Sequence, residues 1–342
     1  MTQSDNSVNV KKPNIIVSTI RKHPATWFFL ITFAFSWVIY LLTGTVLKGI
    51  PLGFIASFGP TIGGIIVAAI LNPTRSHASV KKRIIVFAIV LAICIAVTVQ
   101  TAIMSPAFPL SFIATFAIMD LIIAYSISSY YHPIQGVAQM YQGLNQKGKK
   151  LIWLLIAFVL PIAFQFGGAL LNLAFGINLF GNLSVALLLV LFTALPNIFL
   201  FGGPTAEEPG WRGFATPQMQ KYYNPLIVGI IIGFMWTVWH FPLYFTGDYP
   251  GGVEALLLRF VWNLPLGVLF AWVYNKSGGN LLAALLLHAS NNLFVTLFSA
   301  SQNLYTCSAV MVIFTVIVVV ATKFWKKPAQ PLPTIEPTPV SA

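Results

Sequence analysis

Residues 182–213 read NLSVALLLVLFTALPNIFLFGGPTAEEPGWRG. From Val185 to Phe201 no residue is charged. The sequence Gly202, Gly203, Pro204 then interrupts the run, and two adjacent glutamates, Glu207 and Glu208, follow. An uncharged stretch of about 20 residues is the length a helix needs to cross the hydrocarbon core of a bilayer. The rest of the chain repeats the pattern. Of 342 residues, 57% are hydrophobic and 8% are charged, against about 25% charged in an ordinary soluble domain. The sequence therefore predicts an all-α, polytopic transmembrane helix bundle.

Ten apolar stretches are long enough to span: 26–47, 52–72, 83–104, 109–129, 150–173, 182–203, 224–245, 254–275, 280–299 and 305–325. The fourth carries Asp120 and the eighth carries Arg259 and Asn263, so the expected count is about 8–10 spans. Basic residues test the order of the spans. Of the nineteen Lys and Arg, all but Lys48 and Arg259 fall in the N-terminal segment, the even-numbered loops or the C-terminal tail. By the positive-inside rule that side is cytoplasmic, which puts both termini there. Topology and contact with anionic lipid account for the net charge of +12. No basic patch is interleaved with exposed aromatics, so nucleic acid is not an expected partner. The first apolar run lacks a small-residue cleavage pattern and reads as a retained anchor. Cys94 and Cys307 lie in separate spans without CxxC spacing, so both are expected as free thiols.

The chain divides into a polar N-terminal segment (1–25), N-terminal scaffold helices (26–175), a polar-bearing core (176–300), a last helix (301–325) and a Pro-rich tail (326–342). The tail, KKPAQPLPTIEPTPVSA, reads as extended and disordered. No internal repeat is found, so an inverted-repeat transporter has no support in the sequence.

Polar groups at membrane depth concentrate between residues 204 and 292. Ionisable residues there are costly, and they mark functional sites by default. The run EEPGWRG (Glu207–Gly213) opens with the diacid. Pro209 suits the first turn of a new helix. Arg212 stands four residues after Glu208, within pairing reach across one turn, which leaves Glu207 as the unpaired carboxylate. A plain helix cap at a cytoplasmic loop would use the same residues. Next comes FMWTVWHFP (Phe234–Pro242), where Trp236 and His240 share a helix face. An interfacial aromatic belt would also hold such a histidine. Third is GGNLLAALLLHASNN (Gly278–Asn292), with His288 and Asn292 again four apart. A packing hydrogen bond between helices is the alternative there. One shared cavity explains the three together better than three separate accidents.

Glu-Glu-x3-Arg, aromatic-x3-His and His-x3-Asn, in that order within apolar helices, resemble the CAAX-protease and bacteriocin-processing (Abi) family of intramembrane proteases. That family includes the type II CAAX prenyl endopeptidases. The resemblance covers residues 180–300. The family often has Phe where this chain has Trp236. The resemblance implies an integral-membrane endopeptidase acting on a membrane-associated protein or peptide. By similarity Glu207 is the base that activates a water, and a partly desolvated carboxylate is the stronger base for that task. His240 and His288 position the water or the scissile carbonyl, and Asn292 donates to the oxyanion. Glu208 and Arg212 hold the segment.

A metal is left open. His240 and His288 with Glu207 or Glu208 could ligate Zn2+, while the helix-borne HExxH signature is absent. Two further functions also remain open: a proton-coupled transporter, and a non-catalytic immunity or scaffold protein of the same fold. Short tails without an organelle signal suggest a bacterial plasma membrane.

One conflict stands in this reading. The diacid falls at the cytoplasmic end of the sixth span, yet His240 lies roughly 24 Å of helix beyond Asn224. The seventh span is therefore expected to start late, or to be tilted or broken near Gly229 or Gly233. Arg259 and Glu254 are expected to snorkel to the outer interface, and Asp120 to be a satisfied polar contact.

Overall fold

The computed structural model describes residues 14–104, 109–145, 151–180, 185–297 and 301–338. All regular structure in these residues is helical, apart from an isolated bridge between Arg75 and Ile134. The helices are α1 (Ile15–Lys22), α2 (Pro24–Thr45), α3 (Gly53–Ala56), α4 (Gly59–Leu71), α5 (Val80–Met104), α6 (Leu110–Ser128), α7 (Gln135–Met140) and α8 (Ile152–Ala174). They continue with α9 (Val185–Phe201), α10 (Pro204–Glu208), a π-helical turn (Pro209–Ala215), α11 (Thr216–Gln220), α12 (Pro225–Trp239), α13 (Phe241–Thr246), α14 (Gly252–Lys276), α15 (Leu281–Leu297) and α16 (Ser301–Thr322). The expected polar segment 1–25 lies largely outside the described residues, but its end forms α1, where Ile20 is buried.

Among the described residues, eight helices are long and apolar enough to cross a membrane. The protein is an integral, multi-pass helix bundle. The fourth and eighth stretches, which carry polar residues, both form full-length spans. The two short members are α9 and α15, which flank and carry the diacid and His288 motifs. Asp120 stays in its span because Thr98 Oγ1 on the neighbouring α5 donates to its carboxylate at 3.1 Å. Cys94 and Cys307 are free and buried, as expected.

α12 is the central helix, packed along α14, while α5 presents isoleucines outward at the periphery. Gly229, Gly233 and Gly267 make the α12–α14 contact. A Cβ on Gly229 would lie 2.8 Å from Val268 Cα, and one on Gly267 would lie 2.6 Å from the Gly229 carbonyl. Small residues bring membrane helix backbones this close. The glycines therefore serve packing and do not break the helix, contrary to the expected break in the seventh span. Asn224 caps α12 by accepting from Ile227 N–H at 3.0 Å, and the helix runs unbroken to Trp239.

The conflict over depth is resolved on the other side. The sixth span does not end at Gly203. It breaks there and resumes as α10, the π turn and α11, reaching Lys221. Glu207 is thus 14 residues from that end, roughly 20 Å along a helix, which matches the depth of His240.

The Pro-rich tail also departs from expectation. Residues 328–338 lie along the basic end of the bundle. Leu332 and Ile335 are buried in the main core. The Ile335 carbonyl accepts from Gln218 Nε2 at 2.9 Å, Lys221 pairs with Glu336 at 2.9 Å, and Thr338 N–H donates to the Leu71 carbonyl at 3.0 Å. Arg21 Nη1 donates to the Thr338 carbonyl at 3.2 Å. Prolines hold the segment extended without internal hydrogen bonds, so its peptide groups remain free to bond neighbouring elements. Residues 339–342 lie outside the described residues.

Candidate active site

The break at Gly202–Gly203 builds the site. Gly203 adopts φ +107°, which only glycine takes without strain. Pro204 then starts α10 with its fixed φ. The new helix thus begins at Pro204 rather than at Pro209, and Glu207 sits in its first turn. Carbonyls freed by a break must find partners where no water is at hand. Thr205 Oγ1 donates to the Leu200 carbonyl at 2.6 Å, and Asn292 Nδ2 donates to the Gly202 carbonyl at 2.8 Å. Past Glu208 the chain takes a π turn, since Pro209 and Pro217 each withhold an N–H from the α ladder. Such turns recur at functional sites.

Both glutamates are buried, Glu207 at 5% exposure and Glu208 at 0%, so each must be answered by a partner. Glu208 has two. Arg212 Nη1 donates at 2.9–3.0 Å, and His288 Nδ1 donates at 2.7 Å. Arg212 also lies over the Phe270 ring, 3.9 Å from its centroid. Glu207 has no cationic partner of this kind. Trp236 Nε1 donates to its Oε2 at 2.6 Å, and Oε1 points toward Gly203. A Cβ on Gly203 would stand 2.7 Å from Glu207 Oε1 and 3.3 Å from His288 Nε2. Glu207 Oε1 and His288 Nε2 therefore both lie against Gly203.

His240 caps the end of α12 ahead of Pro242. Its Nδ1 lies 2.7 Å from the Trp236 carbonyl. A carbonyl only accepts, so Nδ1 carries the proton and Nε2 is left with a lone pair. Tyr249 stacks on the imidazole with centroids 5.8 Å apart, and Trp239 meets it edge-on. His288 reaches the same depth from only about two turns into α15, because that helix starts inside the protein. Ser277 and Asn280 are buried, and Gly143 and Leu332 close over Gly279.

All six residues singled out in the sequence, Glu207, Glu208, Arg212, His240, His288 and Asn292, are thus drawn to one locus by direct or shared contacts. Two cavities meet there, of about 500 Å3 and about 520 Å3, both lined by Gly202, Glu207, His240 and Tyr249. The first runs outward past Ile50, Phe54 and Phe112, and α2 contributes Tyr40 to its wall. The second adds His288, Asn292 and Arg259. Arg259 turns inward to Tyr244 and Tyr249 instead of snorkelling outward. The tyrosines offer a hydroxyl and a ring face that lipid cannot.

The roles of Gly203, Tyr249 and Arg259, and the direct bond from Trp236, were not foreseen. Arg259 left a signal in the sequence as an ionisable residue inside a span, and Gly203 as part of the Gly-Gly-Pro interruption. As for a metal, no group of three His, Cys, Asp or Glu among the described residues is arranged to hold one. Both histidines hold Nδ1 in hydrogen bonds, which leaves each Nε2, with Glu207, as the groups that could face a metal.

Comparison with known proteins covers the same part of the chain. Residues 180–294, which include every one of the six, match the family described as Type II CAAX prenyl endopeptidase Rce1-like. CAAX prenyl protease 2 of Methanococcus maripaludis is 27% identical over 172 residues, covering 47% of this chain and 60% of that protein. The uncharacterized protein YyaK of Bacillus subtilis is 31% identical over 102 residues, covering 29% of this chain and 31% of that protein. The matched region therefore spans less than two thirds of either relative. The diacid, the two histidines and the asparagine converge within the matched residues, and over that stretch the chain is similar to the type II CAAX prenyl endopeptidases.

Proposed function

We propose that the protein is a membrane-embedded endopeptidase that cleaves a membrane-associated protein or peptide with a water activated by Glu207. One observation carries the reading. Glu207 spends Oε2 on Trp236, and its Oε1 lies against Gly203 beside His288 Nε2, where two cavities meet. A water there gives its proton to Glu207 as its oxygen attacks the scissile carbonyl carbon. Glu207 then passes the proton to the leaving amine nitrogen as the C–N bond breaks. The lone pair of His240 Nε2 orients the water. Asn292, which donates to the Gly202 carbonyl, stabilises the oxyanion, as the resemblance implies, an interaction of about 2.7–4 kcal/mol in other hydrolases. Glu208 acts through its neighbours: it fixes the His288 ring and neutralises Arg212. These steps need no metal, and none of them is assigned to zinc.

The apolar cavity suits the lipid-embedded part of a substrate, and the relative named CAAX prenyl protease 2 favours a C-terminal, lipidated peptide. We place the protein in a bacterial plasma membrane with its basic end in the cytoplasm, in line with the distribution of Lys and Arg.

The test compares protein termini in cells making the wild type and in cells making Glu207→Gln at matched abundance. New termini that vanish in the variant support proteolysis and identify a substrate. Identical termini, with the variant folded, move the reading to an immunity or scaffold protein or to a transporter.

A further inference from the structure

A groove of about 770 Å3 runs between α2 and α12 at the basic end of the bundle, apart from the two cavities of the active site. Its walls are apolar. Phe29 and Phe33 are four apart on α2, and Ile231 and Met235 are four apart on α12, so each pair faces the groove from one side of its helix. Phe33 stands ten residues beyond His23, roughly 15 Å along the helix. That is half the thickness of the hydrocarbon core, so the groove is one leaflet deep.

The rim has a different chemistry. Lys22, His23, Tyr222 and Tyr223 border it, all of them exposed, and no Asp or Glu among the described residues lines the groove. Neither Lys22 nor His23 forms an ion pair with a described residue. The neighbouring bases are engaged elsewhere: Arg21 donates to the Ile70 and Thr338 carbonyls, and Lys221 pairs with Glu336. Gln218 also lines the groove and is 1% exposed. Its Nε2 donates to the Ile335 carbonyl, while its Oε1 is buried without a partner. Buried amide groups are rarely left unmatched, and an amide oxygen accepts from a hydroxyl.

We infer that this groove binds an anionic phospholipid from the leaflet at the basic end, with its phosphate on Lys22 and His23, a headgroup hydroxyl on Gln218 and an acyl chain between α2 and α12. A neutral acyl chain would need no basic rim, and a soluble anion would need no apolar wall one leaflet deep. The lipid also touches what supports the active site. Phe29 meets Trp211 of the EEPGWRG run with ring centroids 6.0 Å apart, and Phe33 meets Trp37 edge-on at 5.2 Å. Trp37 Nε1 in turn donates at 3.1 Å to the carbonyl of Trp239, the residue before His240. A filled groove therefore braces two of the three motifs from behind. Lipid binding itself does not depend on the endopeptidase reading.

The experiment offers the full-length protein in detergent equal amounts of phosphatidylglycerol and phosphatidylcholine, and native mass spectrometry counts the lipid retained. The wild type should prefer phosphatidylglycerol by roughly fivefold, the value of one lysine at an anionic headgroup. Lys22→Gln should bring the ratio close to one. Lys82→Gln, at the same end of the bundle but outside the groove, should leave it unchanged. Ile231→Trp fills the groove without altering its charge and should release the retained phosphatidylglycerol. Phosphatidylglycerol should also raise the melting temperature of the wild type and leave that of Lys22→Gln unmoved. Retention without preference in the wild type overturns the inference. So does a preference that Lys82→Gln lowers as much as Lys22→Gln, since that is diffuse attraction to a basic surface. A preference that survives Ile231→Trp overturns the groove as its location. If Ile231→Trp fails to fold, the two lysine variants decide.

Discussion

Trp236 Nε1 donates to Glu207 Oε2 at 2.6 Å, so the residue that precedes His240 by one helical turn also aims the carboxylate from the preceding span. A single aromatic couples two of the three motifs. This gives the first prediction. Glu207→Gln should lower kcat by about 10^2–10^4, the span for loss of a general base. Trp236→Phe keeps the ring and loses the donor, and should lower kcat by roughly tenfold, about the value of one hydrogen bond to a charged group, with less effect on KM. A Trp236→Phe enzyme with full kcat would show that Glu207 needs no aiming.

Gly203 should tolerate no side chain. A Cβ would enter the space bordered by Glu207 Oε1 and His288 Nε2, at 2.7 Å and 3.3 Å, and φ +107° disfavours any L residue. Gly203→Ala should abolish turnover and cost about 1–3 kcal/mol in stability. Measuring activity and unfolding on the same sample separates the two effects. Substantial turnover would place the reacting water elsewhere.

Glu208, Arg212 and His288 form a buried chain of partners. Glu208→Gln leaves Arg212 uncompensated and should cost about 3–5 kcal/mol, as breaking a buried pair does. Adding Arg212→Met removes the stranded charge and should restore most of the stability. Activity should stay low in the double variant, because His288 has lost the carboxylate that fixes its ring. Recovery of both would reduce Glu208 to a partner of Arg212 alone.

Chelation supplies a separate check on the chemistry. With the water assigned to Glu207, activity should survive prolonged treatment with a zinc chelator. Loss of activity that added Zn2+ restores would move the reaction to a metal.

The tail makes a prediction that depends on pH. Thr334 and Lys221 hydrogen-bond the Glu336 carboxylate and hold its pKa below the usual glutamate value. A depressed carboxylate contributes stability above its unfolded pKa and loses it as pH falls through the folded one. Glu336 is largely exposed, so its pair with Lys221 is worth only about 0.2–1 kcal/mol. Glu336→Gln should therefore lower the melting temperature slightly at pH 7, and the difference should vanish once acid has protonated the wild-type carboxylate. Removal of residues 328–342 should cost more, because Leu332 and Ile335 leave the core. A truncated protein as stable as the full chain would contradict that.

Much of this molecule was legible in its sequence. Hydrophobic runs of spanning length, interrupted by loops with basic residues on one side, determine an all-α membrane bundle, because lipid leaves backbone groups no partner outside a helix. The spacings Glu208-x3-Arg212, Trp236-x3-His240 and His288-x3-Asn292 announce shared faces, since 3.6 residues make a turn. What the sequence could not carry is depth and direction. It put Glu207 at the end of a span, while the tertiary structure resumes the helix after Gly203 and sets that carboxylate level with His240. It sent Arg259 outward, whereas Tyr244 and Tyr249 on neighbouring segments drew it in. It left the prolines of the tail unattached, although Leu332 and Ile335 find a groove made by distant elements. Periodicity is a property of one helix and can be read along the chain. The partner of a buried charge is chosen across helices far apart in sequence, and only packing decides it.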